Sequence, residues 1–248
     1  LHKFSTNRVR LRASQLEARL TMSDELLVRQ LAIETTGYYC VQMPDQEYNS
    51  PPVVLVALHG FGQKCKGFMR HFAELRHRNI IVIAPQGPHQ FYMQLEPKKV
   101  GFNWLTIYEK ENSIRDFTGF MVRLLGEVQR DHPIPFDRVF ILGFSQGVSM
   151  AYRFAVSGAI SPRGVIACCA DLPQDVAEKL ASTVPFPVLL AHAEDDPVIP
   201  VAKADDAERQ LRTSDFPVER LAYTGGHTIP DDVVVRIGDW IESIAEPR

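Results

Sequence analysis

This sequence predicts an α/β fold built on a mostly parallel sheet, and three observations carry that expectation. Short continuous apolar runs alternate with helical periods from residue 53 onward. One of those runs ends in a Gly-x-Ser-x-Gly turn followed by helix-compatible sequence. Finally, 248 residues, 45% of them hydrophobic, suffice for one sizeable core, since a chain of this size buries roughly 70–75% of its unfolded surface. One domain over residues 1–248 is expected, with 1–30 an N-terminal extension.

The runs come in order. Val53 to Leu58 and Ile80 to Ala84 are rich in β-branched residues, and Val139 to Leu142, Gly164 to Cys169, Val188 to Ala191 and Val218 to Tyr223 follow. Runs of this length bounded by turn residues read as strands buried on both faces. Between them, Phe68, Phe72 and Leu75 share one helical face. So do Ile114, Phe117, Met121, Leu124, Leu125 and Val128. Ala204, Ala207 and Leu211 mark a weaker helix, and Val234, Ile237, Trp240, Ile241 and Ile244 close the chain. Strand–helix alternation of this kind puts helices on both faces of a parallel sheet. Upstream, residues 31–43 alternate loosely and suggest one or two edge strands, and Leu16, Leu20, Leu26 and Leu27 suggest a helix within 13–30. Residues 86–112 show no clear period but hold Phe91, Tyr92, Phe102, Trp104 and Tyr108. A long loop inside a compact domain is usually functional.

Composition excludes several classes. With 27 Lys+Arg against 30 Asp+Glu the chain lacks the basic field of a nucleic-acid or anionic-membrane binder. No apolar run approaches the roughly 18–20 residues of a membrane span. Cys40, Cys65, Cys168 and Cys169 fit no zinc spacing, and none is expected in a disulfide framework. Cys168 and Cys169 read as small core hydrophobes. The first thirty residues carry charges throughout and no signal-peptide apolar stretch, so a cytoplasmic location is expected, although the chain begins at Leu1. The oligomeric state stays open, a homodimer included.

Gly143-Phe-Ser-Gln-Gly147 follows the Val139 run directly. This is the strand–turn–helix setting of a nucleophile elbow, with Ser145 lifted above the sheet at a helix N-terminus. A serine hydroxyl needs a base at neutral pH. In this type of site the order along the chain is serine, acid, histidine. Of eight histidines (2, 59, 71, 77, 89, 132, 192 and 227), only His192 and His227 follow Ser145. His192 continues a strand and is expected to hydrogen-bond at its end, whereas His227 sits in the loop Gly225-Gly-His and is the expected base. Glu194, Asp195 and Asp196 follow the Val188 strand, where the acid that orients the imidazole belongs. Asp196, stiffened by Pro197, is preferred, and Asp195 is its rival. An oxyanion hole needs two aimed donors. The amide of Gln146 is one, and the Gly-rich His59-Gly-Phe-Gly-Gln63 stretch supplies the Phe61 amide as the second, with His59 itself structural.

Together, His59-Gly-Phe-Gly, Gly143-Phe-Ser-Gln-Gly, Asp196-Pro-Val-Ile-Pro and Gly225-Gly-His resemble the phospholipase/carboxylesterase family of α/β-hydrolases, which includes acyl-protein thioesterases. The resemblance covers roughly residues 38–246. It implies an open hydrolase sheet, no cofactor, no metal, and hydrolysis of carboxylic esters or thioesters of small-molecule acyl substrates. It also implies that Trp104 stands near the active-site wall, and an acyl chain needs such apolar surface beside the carbonyl site. The chain departs from the family pattern at Gln63, Val148 and Ala193, and none of the three removes a catalytic group. The expected function is hydrolysis of short- to medium-chain acyl esters through an acyl-enzyme. Two alternatives stand beside it: thioester hydrolysis, and a non-catalytic binding relative. Such relatives lose a triad member or an elbow glycine, and this chain keeps all of them.

Overall fold

In the computed structural model, which describes residues 28–132 and 134–245, the chain divides into a unit ending at Thr36 and a larger unit from Gly37 onward. Residues 28–36 carry neither helix nor strand. The helix suggested within 13–30 lies outside the described residues but for positions 28–30, which are not helical.

The larger unit is an α/β sheet structure. Seven strands lie in the order β1 (Tyr39–Gln42), β3 (Ile80–Pro85), β2 (Val53–Leu58), β6 (Val139–Phe144), β7 (Gly164–Cys168), β8 (Val188–Ala193) and β9 (Val218–Tyr223). β1 runs antiparallel to β3, and every other pairing is parallel. The apolar runs form these strands because both faces are covered. Val54, Val56 and Leu58 enter one core, and Val53, Leu55 and Ala57 the other. The first face carries α2 (Lys110–Asp131), α3 (Gln146–Ala155) and α5 (Val201–Thr213), through Phe117, Met121, Met150, Phe154 and Leu211. The second carries the short α1 (Cys65–Phe68), the 3₁₀ turns over Met69–His77, and α6 (Asp231–Ala245), through Phe68, Phe72, Leu75, Val234 and Ile237. One further short helix, α4 (Gln174–Ala177), follows β7. No helix among the described residues is long and apolar enough to cross a membrane.

Residues 31–43 supply one edge strand, β1, within the one or two expected. One expectation needs correction. Residues 86–112 are not one loop, because β4 (His89–Gln94) and β5 (Lys99–Asn103) pair as an antiparallel hairpin within them. β4 is solvent-facing on both sides apart from Phe91, so it has no apolar alternation for a sequence pattern to show.

In a parallel sheet the loops leaving the carboxyl ends of the strands gather at one edge, where ligands bind. Four such loops matter here. They carry His59–Gln63 after β2, Ser145 after β6, Glu194–Pro200 after β8, and Thr224–Thr228 after β9.

Candidate active site

Ser145 stands between the last residue of β6 and the first of α3 with φ 52° and ψ −120°, a conformation non-glycine residues rarely adopt. The glycines on either side make it attainable. A Cβ on Gly143 would lie 2.4 Å from the Val148 nitrogen, and one on Gly147 only 2.1 Å from the Leu58 carbonyl oxygen. The Ser145 amide donates to Cys168 O at 2.9 Å, and its carbonyl accepts from Val148 at 3.0 Å, which fixes the turn from both sides.

The hydroxyl of Ser145 donates to His227 Nε2 at 3.0 Å, and His227 Nδ1–H donates to Asp196 Oδ2 at 2.8 Å. Three residues separated by as many as 82 positions thus form one hydrogen-bonded chain. The imidazole also lies against the Phe144 ring, with centroids 4.9 Å apart. Asp196 is buried, and burial alone pushes its pKa up. Hydrogen bonds from His227 and from the amides of Ile199 and Val198 outweigh burial and hold the carboxyl below its ordinary value, so it is ionised at neutral pH. His192 is not part of the chain. Its Nε2–H donates to Ile199 O at 2.9 Å, the strand-end role expected of it.

Asp195 does something the sequence did not suggest. Its Oδ1 accepts both the Gly225 amide (2.9 Å) and the Gly226 amide (3.0 Å), the two residues before His227. Those two bonds hold its carboxyl below its ordinary pKa. The adjacent carboxylates therefore divide the work: Asp196 holds the ring, and Asp195 holds the backbone that carries it. The sequence shows a run of three acids, in which Pro197 favours Asp196 as the ring's partner but nothing marks Asp195 as a backbone acceptor.

On the other side of Ser145 lies the loop after β2. The Phe61 and Gln146 amides donate to no protein acceptor among the described residues, as donors reserved for an incoming oxyanion should. Their neighbours are tied down. Gly60 donates to Gln63 Oε1 at 2.7 Å, and Gly62 donates to Phe102 O at 2.7 Å. His59 Nδ1–H donates to Gly60 O, while its Nε2 accepts from Gly87 and from Gln86 Nε2. Burial lowers the His59 pKa to about 4, which keeps this ring neutral and structural at neutral pH. The Gln146 side chain, which sequence reasoning passed over, accepts from the Trp104 amide at 3.1 Å and donates to Leu105 O at 2.9 Å.

Trp104 is placed differently from expectation. Its side chain is fully buried, its Nε1–H donates to His59 O at 2.8 Å, and its ring packs on His59 and Phe117. It underpins the oxyanion-side loop from below and offers no surface to an acyl chain. The exposed apolar surface beside that loop belongs instead to Phe61, against which the half-buried Phe91 of the hairpin packs with ring centroids 4.9 Å apart.

Cys169, Asp196 and His227 bring ligand-type atoms within 4.8 Å of one another. The chemistry of the set fits proton handling better than metal binding. The Nδ1 that would ligate an ion already donates to Asp196, and burial raises the Cys169 pKa so that the thiol keeps its proton. Cys169 Sγ instead lies 3.0 Å from Tyr223 Oη, and the Tyr223 hydroxyl donates to Thr228 O, bracing the histidine loop from below.

This sheet order, with a serine elbow after β6 and catalytic-type loops after β8 and β9, defines an α/β-hydrolase fold. Solved structures agree. Esterase PE8 superposes with a TM-score of 0.67 at 20% identity, over 85% of this chain and 100% of that one. TT1662 from Thermus thermophilus gives 0.64 at 21%, over 85% and 94%. Acyl-protein thioesterase 2 from Zea mays gives 0.63 at 18%, over 85% and 100%. The model of the Phospholipase/Carboxylesterase family matches residues 39–245, and the chain belongs to that family of hydrolases.

Proposed function

We propose that the protein hydrolyses carboxylic esters of short- to medium-chain acyl groups through an acyl-enzyme on Ser145. The observation that carries this reading is the unbroken hydrogen-bond chain Ser145–His227–Asp196. His227 takes the hydroxyl proton through Nε2 as Ser145 Oγ attacks the acyl carbonyl. Asp196 stabilises the imidazolium without taking the proton itself. The Phe61 and Gln146 amides receive the oxyanion. His227 then returns the proton to the leaving alcohol, and water removes the acyl group by the same steps. The Phe61–Phe91 pair supplies apolar surface next to this centre, suited to a modest acyl chain.

Thioester hydrolysis is a second reading, because the same groups serve a thiolate leaving group and one structural neighbour is an acyl-protein thioesterase. A fluorophosphonate probe followed by peptide mapping tests the common core: the adduct is expected on Ser145 and absent from Ser145→Ala, which should fold normally and lose nearly all turnover. An adduct on another serine, or retained turnover, refutes the mechanism. A chain-length series of p-nitrophenyl esters run beside a palmitoyl-thioester separates the two substrates. Faster turnover of the thioester than of p-nitrophenyl butyrate would select the second reading.

A further inference from the structure

Two of the four cysteines meet across the fold. Cys40 on the edge strand β1 and Cys65, the first residue of α1, lie 25 positions apart in sequence with their sulfurs 3.5 Å apart. A disulfide needs about 2.05 Å, and side-chain rotation of the two thiols covers a shortfall of that size. Both cysteines are free. They differ in access: Cys40 is half-buried, whereas Cys65 is buried behind it. The other two cysteines make the contrast. Cys168 and Cys169 are adjacent in sequence and fully buried, and Cys169 is engaged with Tyr223. An oxidant arriving from solvent meets Cys40 first.

We propose that Cys40 and Cys65 are a dithiol modification site, closed to a reversible intrachain disulfide by hydroperoxides and reopened by thiols. In the first step the Cys40 sulfur attacks a peroxide oxygen, the O–O bond breaks, and the leaving hydroxide takes up the proton of the Cys40 thiol, giving a sulfenic acid and one water. In the second, Cys65 sulfur attacks the sulfenic sulfur, the S–O bond breaks, and a second water leaves. The sum is two thiols and one hydrogen peroxide giving one disulfide and two waters. Burial, then the hydrogen bond with Cys40, pushes the Cys65 thiol up to about pKa 11. That disfavours Cys65 as the group that meets peroxide first, and it is the 3.5 Å sulfur contact that places it to resolve a sulfenic acid formed on Cys40.

The bond would tie the sheet edge to the segment just past the oxyanion-side loop. The Cys65 amide already donates to Gln86 Oε1 at 2.9 Å, and Gln86 Nε2 donates to His59. The covalent loop would enclose all of β2 and that loop. Closing a loop of this length constrains the unfolded chain, so the oxidised protein should melt higher.

The experiment treats the full chain with hydrogen peroxide, alkylates remaining thiols, and maps peptides without reduction. Expected are a Cys40–Cys65 linked peptide, a loss of two hydrogens per chain, and a Tm rise of roughly 5 °C that dithiothreitol reverses. Cys40→Ser should melt like the reduced wild type and show neither the link nor the rise. Sulfinic acid on Cys40 with Cys65 still alkylatable overturns the proposal. So does a disulfide joining two chains, or a linked form that melts no higher than the reduced one.

Discussion

The serine side of the site and the hairpin side are built by different means. At the serine side, Ser145 and Asp196 sit one and three residues past strands buried on both faces, His227 sits four residues past the half-exposed β9, and backbone constraints aim them. At the hairpin side, β4 and β5 lie outside the main sheet and pair only with each other. They meet the loop after β2 through the Gly62–Phe102 main-chain hydrogen bond and through side chains, Met93 against Gly62 and Phe91 against Phe61. The difference is one of degree: the serine, acid and histidine are carried on turns held by main-chain hydrogen bonds, while the hairpin side is placed largely by side-chain packing.

Three substitutions test that division, beginning with the largest effect. Asp196→Asn keeps the shape of the acid but leaves His227 without its proper partner, and a comparable loss in a known triad costs about 10⁴-fold in kcat. Steady-state kinetics on p-nitrophenyl butyrate should show a loss of that order with KM little changed. A variant within tenfold of wild type would mean that the hydrogen-bonded chain is not the catalytic one.

Trp104→Ala comes next and probes the border between the two sides. The ring is fully enclosed, so its removal should cost about 3–5 kcal/mol in urea unfolding, as large aromatic-to-alanine changes in cores do. The ester chain-length profile should keep its shape. A shifted profile with unchanged stability would restore Trp104 to the acyl wall.

The smallest effect separates the two neighbouring acids. Asp195→Ala removes the acceptor for the Gly225 and Gly226 amides and lets the His227 loop drift, for an expected loss of about tenfold in kcat at constant KM, since small misplacements of catalytic groups are costly. Asp195→Asn keeps an oxygen in the same place and should recover most of that loss. Equal defects in both variants would show that charge, not the acceptor, is what Asp195 supplies.

The same division explains what was legible in the sequence. Strands β2, β3 and β6 to β8 read clearly because both faces are covered and nearly every residue is apolar. The elbow read clearly because its glycines are demanded by backbone contacts. β1 and β4 did not, because an edge strand and a solvent-facing hairpin need no apolar pattern. The resemblance implies Trp104 at the active-site wall, whereas its ring is buried beneath the loop after β2. Its burial depends on His59 and Phe117, residues distant in sequence that no local period reveals. Asp195 stands in the sequence only as a rival acid, because its partners are backbone amides, which leave no mark on side-chain composition.

The contact at Gly147 has a consequence for the width of the site. The residue stands next to Gln146, and its Cα faces the Leu58 and His59 carbonyls, which open the loop carrying Phe61. The two amides proposed above to receive the oxyanion therefore belong to segments that approach main chain to main chain, with a bare hydrogen as the shim between them. At that point of approach no side chain stands between the two segments. The gauge of the hole is a van der Waals radius, fixed before any substrate arrives.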